Sequence, residues 1–378
     1  MSLALFDPHI APEGAWPTGR EVERGYLQAI AQDSVSTMVS NVTTQWLALR
    51  SNNRIFPITA NSGEIGGSYV CLPHSAYVLY ARQELDIVDA GWSKHLLRPV
   101  IPLLDRLLRT AKINTNVQID NWLLSTNLHG DWKGEDLGAI REFLVARFPD
   151  HFLLLRSLDM WSCPDLLAAA RADGWILVPS RQVWVTDNIA RDWLPRHNIK
   201  DDRRRLRKSG LRVEELRHIQ PADAERIATL YHQLYVGKYS ALNPVFTPSF
   251  IVMTHHTRMI RYQVARDAAG QIMAVGGLFQ RNDIATPPVV GYDTSRPQSE
   301  GLYRIASLLF TEQALTGGWR LNGSAGAADF KRRRGAQPVI EYSAFFAGHL
   351  APMRRRIVSG LAAILETFVV PMMRRRGL

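Results

Sequence analysis

Four consecutive cations, Lys331 to Arg334, are the residues whose type and spacing raise the first chemical question. They lie within GAADFKRRRGAQPVIEY, residues 326–342, just before a β-like run. Such a cluster is either a solvated helix face or a corner that binds a polyanion. On a short helix, residues three apart share a face, so Lys331 and Arg334 point one way while Arg332 and Arg333 point elsewhere. We therefore predict that one or two of these cations enter a pocket and that the others are outer-surface charge.

The positive charge of the chain is concentrated in its second half. The net charge is +10, and residues 1–199 carry 18 Lys/Arg and 21 Asp/Glu, whereas residues 200–378 carry 27 and 14. The basic clusters are 203–208, 331–334, 354–356 and 374–376. Such asymmetry is typical of a protein with a polyanionic partner, namely a nucleic acid, a membrane surface or a phosphorylated substrate. The alternative for any one cluster is a set of solvated helix ends.

The first of these clusters, RRRLRK, suits contact with a phosphate backbone. Binding of this kind depends on positive charge more than on side chains that read bases. The candidate nucleic-acid-binding residues are Arg203, Arg204, Arg205, Arg207 and Lys208.

The composition excludes several other classes of protein. An apolar content of 46% and a charged content of 21% are those of a folded soluble protein. The two cysteines, Cys71 and Cys163, have neither a paired nor a metal-ligand spacing, so we predict no disulfide framework and no metal site. His255 and His256 are adjacent on a predicted helix and point to different faces, which makes them a poor metal pair. The N-terminal segment shows no secretory signal, and we predict a cytoplasmic protein.

The C-terminal segment is apolar between two basic clusters. Its longest apolar stretch, residues 357–373, is short for a membrane span and carries Glu366 and Pro371. We predict a final helix packed across the domains, with its arginines at the solvated ends and no transmembrane segment. The alternative is an amphipathic interfacial helix with basic ends, which would give a peripheral membrane contact.

The length of 378 residues predicts two domains. In the first half, strand-like and helix-like segments alternate. The predicted strands are 44–51, 53–61, 68–85, 117–128, 152–158 and 176–187, and the predicted helices are 93–113, 135–148 and 163–175. This alternation is typical of a complete α/β layer.

A polar connector, residues 188–210, leads to a second series of the same kind. It contains a hairpin, VARDAAGQIMAVG, in which DAAG supplies turn residues between two apolar runs. After the hairpin come GYDTS, an apolar helix, a short strand, the short helix with the four cations and a last strand. We predict an α/β fold of two related domains in tandem, residues 1–195 and 196–378. The second domain carries the chemistry and a C-terminal helix.

This order of elements resembles the GNAT acyltransferase superfamily, in particular the Fem-type (FemABX) peptidyltransferases and their double-domain relatives. The stretch IKDDRRRLRKSGLRVEEL, residues 199–216, is similar to the entry of the second domain in that family, where a basic helix runs into a strand. The resemblance covers roughly residues 196–347. The first half of the chain resembles the family only in the order of its helices and strands. It implies tandem GNAT-like domains, each with a mixed central sheet flanked by helices. It also implies that an acyl or aminoacyl group passes from an activated donor to an amine.

One departure from the superfamily bears on the donor. GNAT enzymes that use acyl-CoA hold its pyrophosphate on a glycine-rich loop at the start of the helix after the central strands. Here that place reads TSRPQSEGLYRI, with one glycine, Gly301, and with Glu300, whose charge would repel a phosphate. Fem-type enzymes also lack the loop because their donor is aminoacyl-tRNA. The departure favours aminoacyl-tRNA as the donor, without a cofactor, and leaves acyl-CoA as the alternative donor substrate.

The resemblance also implies site residues. Phe330 and Lys331 match a "Y/F-K" pair of the Fem-type family, which implies that Lys331 binds a phosphate or carboxylate or stabilises an oxyanion. At GYDTS, Asp293 would orient or deprotonate the incoming amine, and Tyr292 would protonate a leaving hydroxyl. The alternative for Asp293 is a cap of the following turn. The candidate substrate-binding residues are Lys238, Tyr239, Asn243, Ser324, Arg304 and Arg334.

These observations predict an amide-forming transferase that moves an aminoacyl group from aminoacyl-tRNA to an amine of a small molecule or peptide. The alternative of the same class is an acyl-CoA-dependent N-acyltransferase. The alternative of a different class is a catalytically silent GNAT-like module that binds nucleic acid or anionic lipid through the basic half. A pocket in which Lys331, Tyr292 and Asp293 face one another would distinguish the transferases from the binding module.

Overall fold

The computed structural model describes residues 2–83 and 100–376, and within them it shows an α/β fold. Twelve strands of the described residues form one sheet. They are β1 (Leu3–Phe6), β2 (Gln45–Ser51), β3 (Arg54–Ser62), β4 (Thr115–Ile119), β5 (Phe152–Leu158), β6 (Ile176–Thr186), β7 (Arg212–Glu215), β8 (Ile260–Arg266), β9 (Ile272–Arg281), β10 (Ile284–Tyr292), β11 (Arg320–Asn322) and β12 (Gln337–Phe346).

Helices connect most of these strands. The α-helices are α1 (Glu21–Asp33), α2 (Val35–Met38), α3 (Val100–Thr110), α4 (Leu137–Arg147), α5 (Pro164–Ala172), α6 (Ile189–Asp192), α7 (His197–Lys208), α8 (Pro221–Tyr231), α9 (Pro248–His256), α10 (Leu302–Thr316), α11 (Ala328–Arg332), α12 (Pro352–Ile364) and α13 (Val370–Arg376). Three π-helical segments occur at Ser75–Tyr80, His232–Tyr239 and Leu365–Val369. Four of the α-helices begin with a proline, whose fixed φ and missing N–H suit the first helical turn.

The strand order shows that one arrangement occurs twice. The order is β1-β2-β3-β4-β5-β12-β6-β11-β10-β9-β8-β7. In the first half, β1 to β4 pair antiparallel and β4 then pairs with β5 in parallel. In the second half, β7 to β10 pair antiparallel and β10 pairs with β11 in parallel. The α/β class and the tandem arrangement predicted from the sequence are therefore confirmed, whereas the boundary at residues 195 and 196 stays a prediction.

The two halves exchange strands at the centre of the sheet. β12, the last strand, lies between β5 and β6 and pairs antiparallel with both. β6 in turn pairs antiparallel with β11 of the second half. Each half is thus completed by a long strand from the other, which the sequence did not predict.

Both faces of the sheet are covered, because alternate side chains of one strand enter different cores. On β9, Val275 and Phe279 belong to one apolar cluster, while Ala274 and Leu278 belong to another. β5 is buried at all seven positions, as expected for a central strand that is covered on both sides. The sheet is therefore a rigid middle layer between helices.

Two predicted strands differ from the structure. The segment 68–85 is predicted to be strand-like, but residues 69–71 form a turn and residues 73–83 are helical. The helical part includes the π-helix Ser75–Tyr80, whose Tyr77 packs on Phe345. The predicted strand 117–128 ends at Ile119 because Asp120 and Leu123 take positive φ angles, which β-strands exclude. Tertiary packing overrides strand propensity in both cases. Of the predicted helix 93–113, residues 93–99 lie outside the described residues.

A buried ion pair joins the exchanged strands. Arg181 of β6 and Glu341 of β12 are opposite each other in the register. The Nε and Nη2 atoms of Arg181 donate to the Glu341 carboxylate at 2.8 and 3.2 Å. Glu341 is only 2% exposed, so its charge depends on this partner.

We predict that Glu341→Gln destabilises the protein by about 3 kcal/mol, because it leaves the Arg181 charge buried without a counter-ion. The free energy of unfolding would be measured by urea titration. The double variant Arg181→Met/Glu341→Leu, which removes both charges, should recover at least half of this loss. An equal loss in the double variant would show that the pair is not the cause.

Candidate functional site

The sheet opens between β10 and β11. The two strands pair only at Ile284 with Arg320 and Ala285 with Leu321. β10 then continues to Tyr292, whereas β11 ends at Asn322, so the strands diverge beyond this point. Ligands of open α/β sheets bind at such carboxyl-terminal strand ends.

The corresponding divergence in the first half is filled. Beyond β4, Trp122 is fully buried, and its indole N–H donates to Asp120 at 2.7 Å. The buried Arg156 donates to the Val70 carbonyl at 2.9 Å and to the Ser125 carbonyl at 3.1 Å. At this divergence the buried Trp122 and Arg156 both donate hydrogen bonds within the protein. The opening beside β11 is therefore the better candidate for a functional site.

An aromatic wall lines the opening and consists of Tyr235, Tyr239, Tyr292, Tyr303 and Phe330. The Tyr303 ring lies 4.8 Å from the Phe330 ring and 5.9 Å from the Tyr292 ring, measured between centroids. The Tyr239 ring lies 6.2 Å from the Tyr235 ring. Burial, followed by the neighbouring Tyr239 and Tyr292 hydroxyls, raises the pKa of Tyr303. The wall presents tyrosine hydroxyls and ring faces, and the raised pKa keeps the Tyr303 hydroxyl neutral at physiological pH.

Lys331 is turned inward on α11. Its Nζ atom donates to the carbonyl oxygens of Ser324 and Ala325 at 3.1 and 2.8 Å. Burial, with a further contribution from the Arg181 guanidinium, lowers the pKa of Lys331 from 10.5 to about 7. Lys331 is thus a titratable amine held at the end of β11, next to Phe330 of the aromatic wall.

The loop below Lys331 is fixed by a polar network. Ser324 has a positive φ of 61°, and its backbone N–H donates to the Asn322 side chain at 2.9 Å. The Ser324 hydroxyl lies 3.2 Å from the Thr126 hydroxyl and 3.3 Å from Nη1 of Arg181. Arg181 also donates to the Ser125 carbonyl at 2.6 Å. Ser324 therefore joins the two halves of the molecule at the site.

Asp293 is occupied by the turn that follows β10. Its carboxylate accepts hydrogen bonds from Nη2 of Arg226 at 2.7 Å and from the Ser295 hydroxyl and backbone N–H at 2.6 and 3.0 Å. Burial alone would raise the pKa of Asp293, but these hydrogen bonds outweigh it and lower the pKa. Asp293 has no hydrogen bond to Tyr292 or Lys331 among the described residues, and its bonds to Arg226 and Ser295 agree with the turn-capping alternative.

Arg304 and Arg334 share one buried carboxylate. Nε and Nη2 of Arg334 donate to Asp202 at 2.9 and 2.6 Å, and Nε of Arg304 donates to the other oxygen of Asp202. The Arg334 guanidinium also lies 3.5 Å from the centroid of Phe330. Two cations against one anion leave one positive charge beside the aromatic wall. Of the four cations, Lys331 and Arg334 are inward, whereas Arg332 and Arg333 are exposed.

The remaining substrate-binding candidates have different surroundings. Lys238 and Tyr239 are exposed at the end of the π-helix that follows α8, with the Lys238 ammonium 5.8 Å from the Tyr239 ring centroid. Asn243 is buried, and its side chain donates to the carbonyls of Tyr235 and Ser240 at 3.0 and 3.1 Å. Asn243 therefore holds the chain together, while Lys238 and Tyr239 are free to meet a ligand.

The basic helix α7 packs against α10, and only part of it faces solvent. Nε of Arg203 donates to Glu312 at 2.7 Å. Arg205 donates to the Ser299 carbonyl. Its side chain lies so close to Gly301 that a Cβ atom at residue 301 would be 2.4 Å from the Arg205 Cδ atom. The three exposed nucleic-acid-binding candidates are Arg204, Arg207 and Lys208.

The main residues that the sequence reasoning missed are Arg181, Asp202 and Tyr303. Arg181 is a lone charge within the apolar strand ILVPSRQVWVT, and such a residue needs a buried partner. Asp202 and Tyr303 gave no comparable signal because their partners are distant in sequence. Among the described residues, no group of three His, Cys, Asp or Glu side chains could hold a metal ion.

No protein-family profile and no curated protein sequence matches the chain. Three of the similar solved structures are as follows. L-PGS from Bacillus licheniformis is 12% identical, with a TM-score of 0.46, and the match covers 60% of this chain and 79% of that one. FemX is 9% identical, with a TM-score of 0.43, and the match covers 55% and 76%. A tandem GNAT protein from the clavulanic acid biosynthesis pathway is 11% identical, with a TM-score of 0.38, and the match covers 91% and 98%.

The fold itself is evident from the elements of the second half. The β8–β9 hairpin, β10 ending at Tyr292, the long α10, the short β11, the short α11 and β12 follow one another in the order that carried the resemblance. The first half repeats the antiparallel run and the parallel strand pair. The chain therefore has a tandem GNAT-like fold.

Proposed function

We propose that the chain is an amide-forming acyltransferase whose reaction takes place at the opening between β10 and β11. The observation that carries the proposal is Lys331. Its amine is held at the end of β11 by two carbonyls, and the preceding residue, Phe330, belongs to the aromatic wall. A pKa of about 7 leaves this amine about half protonated at neutral pH. An exposed lysine would instead be fully charged and solvated.

The proposed reaction is attack of an amine nitrogen on the carbonyl carbon of an activated ester. A C–N bond forms, the ester C–O bond breaks, and the proton lost by the amine ends on the leaving hydroxyl. The protonated Lys331 has three N–H donors, of which two contact carbonyls. The third is assigned to the oxyanion that develops on the carbonyl oxygen. The hydroxyl of Tyr292 or Tyr303 is assigned to the leaving oxygen.

Positioning supplies the rest of the rate in this proposal. Asp293 is not assigned as a base, because its carboxylate is ionised and accepts hydrogen bonds from Arg226 and Ser295. It orients the turn after β10, in agreement with the turn-capping alternative. An amine needs little base catalysis to attack an activated ester, so holding the two reactants together accounts for much of the acceleration.

The entry to α10 favours aminoacyl-tRNA over acyl-CoA as the donor. A pyrophosphate at the N-terminus of α10 would need the space above Gly301, where the Arg205 side chain lies. Nearby, Glu300 is paired with Arg296 at 2.8 Å, which neutralises its charge, so a pyrophosphate is disfavoured by the filled space and not by repulsion from Glu300. The exposed cations of α7 lie on the helix that packs against α10, where they are available to a tRNA backbone.

Lys331→Ala is expected to slow transfer at least about 100-fold, the usual loss when an oxyanion donor is removed. The measurement is single-turnover transfer from a pool of aminoacylated tRNA to candidate amines. Arg333→Ala, an exposed neighbour on the same turn, is the control and should retain wild-type turnover. Unchanged turnover in Lys331→Ala, with an unchanged thermal melt, would contradict the assignment of Lys331.

The depressed pKa of Lys331 also predicts a pH-dependent difference in stability. Between about pH 7 and pH 10.5 the unfolded chain binds more protons at this site than the folded chain does. The wild type should therefore gain stability as pH rises through this window, whereas Lys331→Met lacks this gain. The stability advantage of Lys331→Met over the wild type, measured as the difference in unfolding free energy, should be largest below pH 7. This difference should shrink by up to about 1.4 kcal/mol per pH unit toward pH 10. The free energy of unfolding of both proteins would be measured by urea titration at pH 7 and pH 9.5. An equal difference between the wild type and Lys331→Met at the two pH values would contradict a buried lysine.

The tRNA donor is tested by the salt dependence of binding. The triple variant Arg204→Ala/Arg207→Ala/Lys208→Ala should flatten the slope of log K against log salt by about two to three, because three phosphate contacts are lost. Arg106→Ala/Arg109→Ala/Lys112→Ala, in α3 and the turn that follows it, removes the same charge and should leave the slope nearly unchanged. Calorimetric titration with acetyl-CoA is a second, independent test, because it measures binding of the alternative donor. A micromolar acetyl-CoA complex, or equal slopes for both triple variants, would favour the acyl-CoA alternative.

A further inference from the structure

A cavity of about 240 Å³ lies where β6 and β12 meet the C-terminal helix, and the proposed reaction does not use it. Its polar lining comes from five elements or connections. These side chains are Gln182 and Trp184 of β6, Gln337 of β12, Arg332 of α11, Arg196 before α7, and Arg374 and Arg375 of α13.

Two buried side chains in this cavity have unpartnered polar atoms. Gln182 is 1% exposed, and neither its amide nitrogen nor its amide oxygen has a hydrogen-bond partner among the described residues. Trp184 is 2% exposed, and its indole N–H is also unpartnered there. Buried polar groups in native proteins are almost always hydrogen-bonded, because leaving them unpaired costs stability. Both side chains therefore indicate a polar ligand.

The charge of the cavity specifies an anion. Four of its lining residues are arginines, and none of the described lining residues is acidic. Arg332 pairs with the exposed Asp329 on its outer side, and Nε of Arg196 donates to the Asp192 carbonyl at 3.0 Å. Each guanidinium still has further N–H donors. The planar guanidinium fork suits the oxygens of a phosphate better than a lone point charge does.

The helix that carries Arg374 and Arg375 points to the source of that phosphate. Within the continuous helix Pro352–Arg375, an 18-residue window has a mean hydropathy of 1.5. The helix is long and apolar enough to cross a membrane by length and composition, yet only 17% of that window is buried. Val358 and Leu361 pack on the core that contains β6 and β12, so this side of the helix lies on the protein.

The other side of the helix exposes apolar side chains. Phe368 is 68% exposed and Ile364 is 49% exposed. Phe368 precedes Arg375 by seven residues, or two helical turns, which places an apolar ring about 10 Å along the helix from the cavity. Exposed apolar side chains beside basic ones are typical of helices that lie in a membrane interface. A nucleic acid would give Phe368 and Ile364 no apolar environment.

We propose that this cavity binds the phosphate of an anionic phospholipid headgroup, with Ile364 and Phe368 entering the adjoining lipid interface. The amide of Gln182 and the indole N–H of Trp184 hydrogen-bond the headgroup, and the arginines neutralise its charge. The helix remains packed on β6 and lies on the membrane rather than crossing it. The site is independent of the reaction at Lys331, so the chain can work on a membrane surface whatever its donor.

The test is flotation of the full chain with phosphatidylcholine vesicles that contain or lack 30% phosphatidylglycerol. Binding should require the anionic lipid. Arg374→Gln/Arg375→Gln should weaken vesicle binding at least tenfold, since it removes two of the four guanidinium groups of the cavity. Arg207→Gln/Lys208→Gln removes the same charge from an exposed face of α7 and should weaken it less than twofold. If the two double variants lost vesicle binding equally, the proposed cavity site would be wrong, and nonspecific electrostatic attraction would account for the binding.

Two further variants separate the parts of the site. Gln182→Leu should weaken vesicle binding several-fold without lowering the melting temperature, because it removes an amide that has no partner in the protein. Phe368→Ser should weaken vesicle binding. At constant ionic strength, inorganic phosphate should compete with vesicles for this variant as effectively as it does for the wild type. Unchanged vesicle binding in Gln182→Leu would overturn the proposal. It would also be overturned if the Arg374/Arg375 double variant lost tRNA binding but kept vesicle binding.

Discussion

The pairing of β6 with β12 is the interaction on which the rest of the molecule depends. β12 pairs with β5 of the first half as well as with β6, and β6 pairs with β11 of the second half. The Arg181–Glu341 pair lies on these two strands, and the same arginine reaches Ser125 and Ser324. A single guanidinium therefore connects the core ion pair, the first half and the loop beneath Lys331.

The two halves use one architecture for different purposes. After β4 the chain turns inward, and Trp122, Asn121 and Arg156 occupy the divergence of the strands with mutually satisfied hydrogen bonds. After β10 the chain instead turns outward, held by Asp293 and Arg226. The first half thus acts as a scaffold, and the opening with its aromatic wall belongs to the second. A scaffold of this kind holds the loop below Lys331 in place, which suits the proposed reaction because that reaction depends on positioning.

The sequence predicted the elements better than their assembly. The strand 152–158 was predicted with the bounds it has, because an apolar run that is buried on both faces carries a strong signal. The helical segment around Tyr77 and the loop after Ile119 were missed because packing and positive φ angles decide them. The exchange of β6 and β12 could not be read from periodicity, since it joins residues about 160 positions apart. The inward orientation of Lys331 and Arg334 followed from helical spacing, but their partners did not.

The position of β12 also constrains the order in which the chain can reach its native state. β5 and β6 are complete by residue 186, yet the space between them is filled by residues 337–346. During synthesis one edge of β5 and both edges of β6 lack their partner strands until β11 and then β12 have emerged, the latter more than 150 residues after β6. Unpaired edges are prone to association with other chains, and long-range strand pairing is slow. The molecule is therefore one cooperative unit in its biogenesis, although its architecture is a repeat, and an early chaperone contact would fall on the edges of β5 and β6.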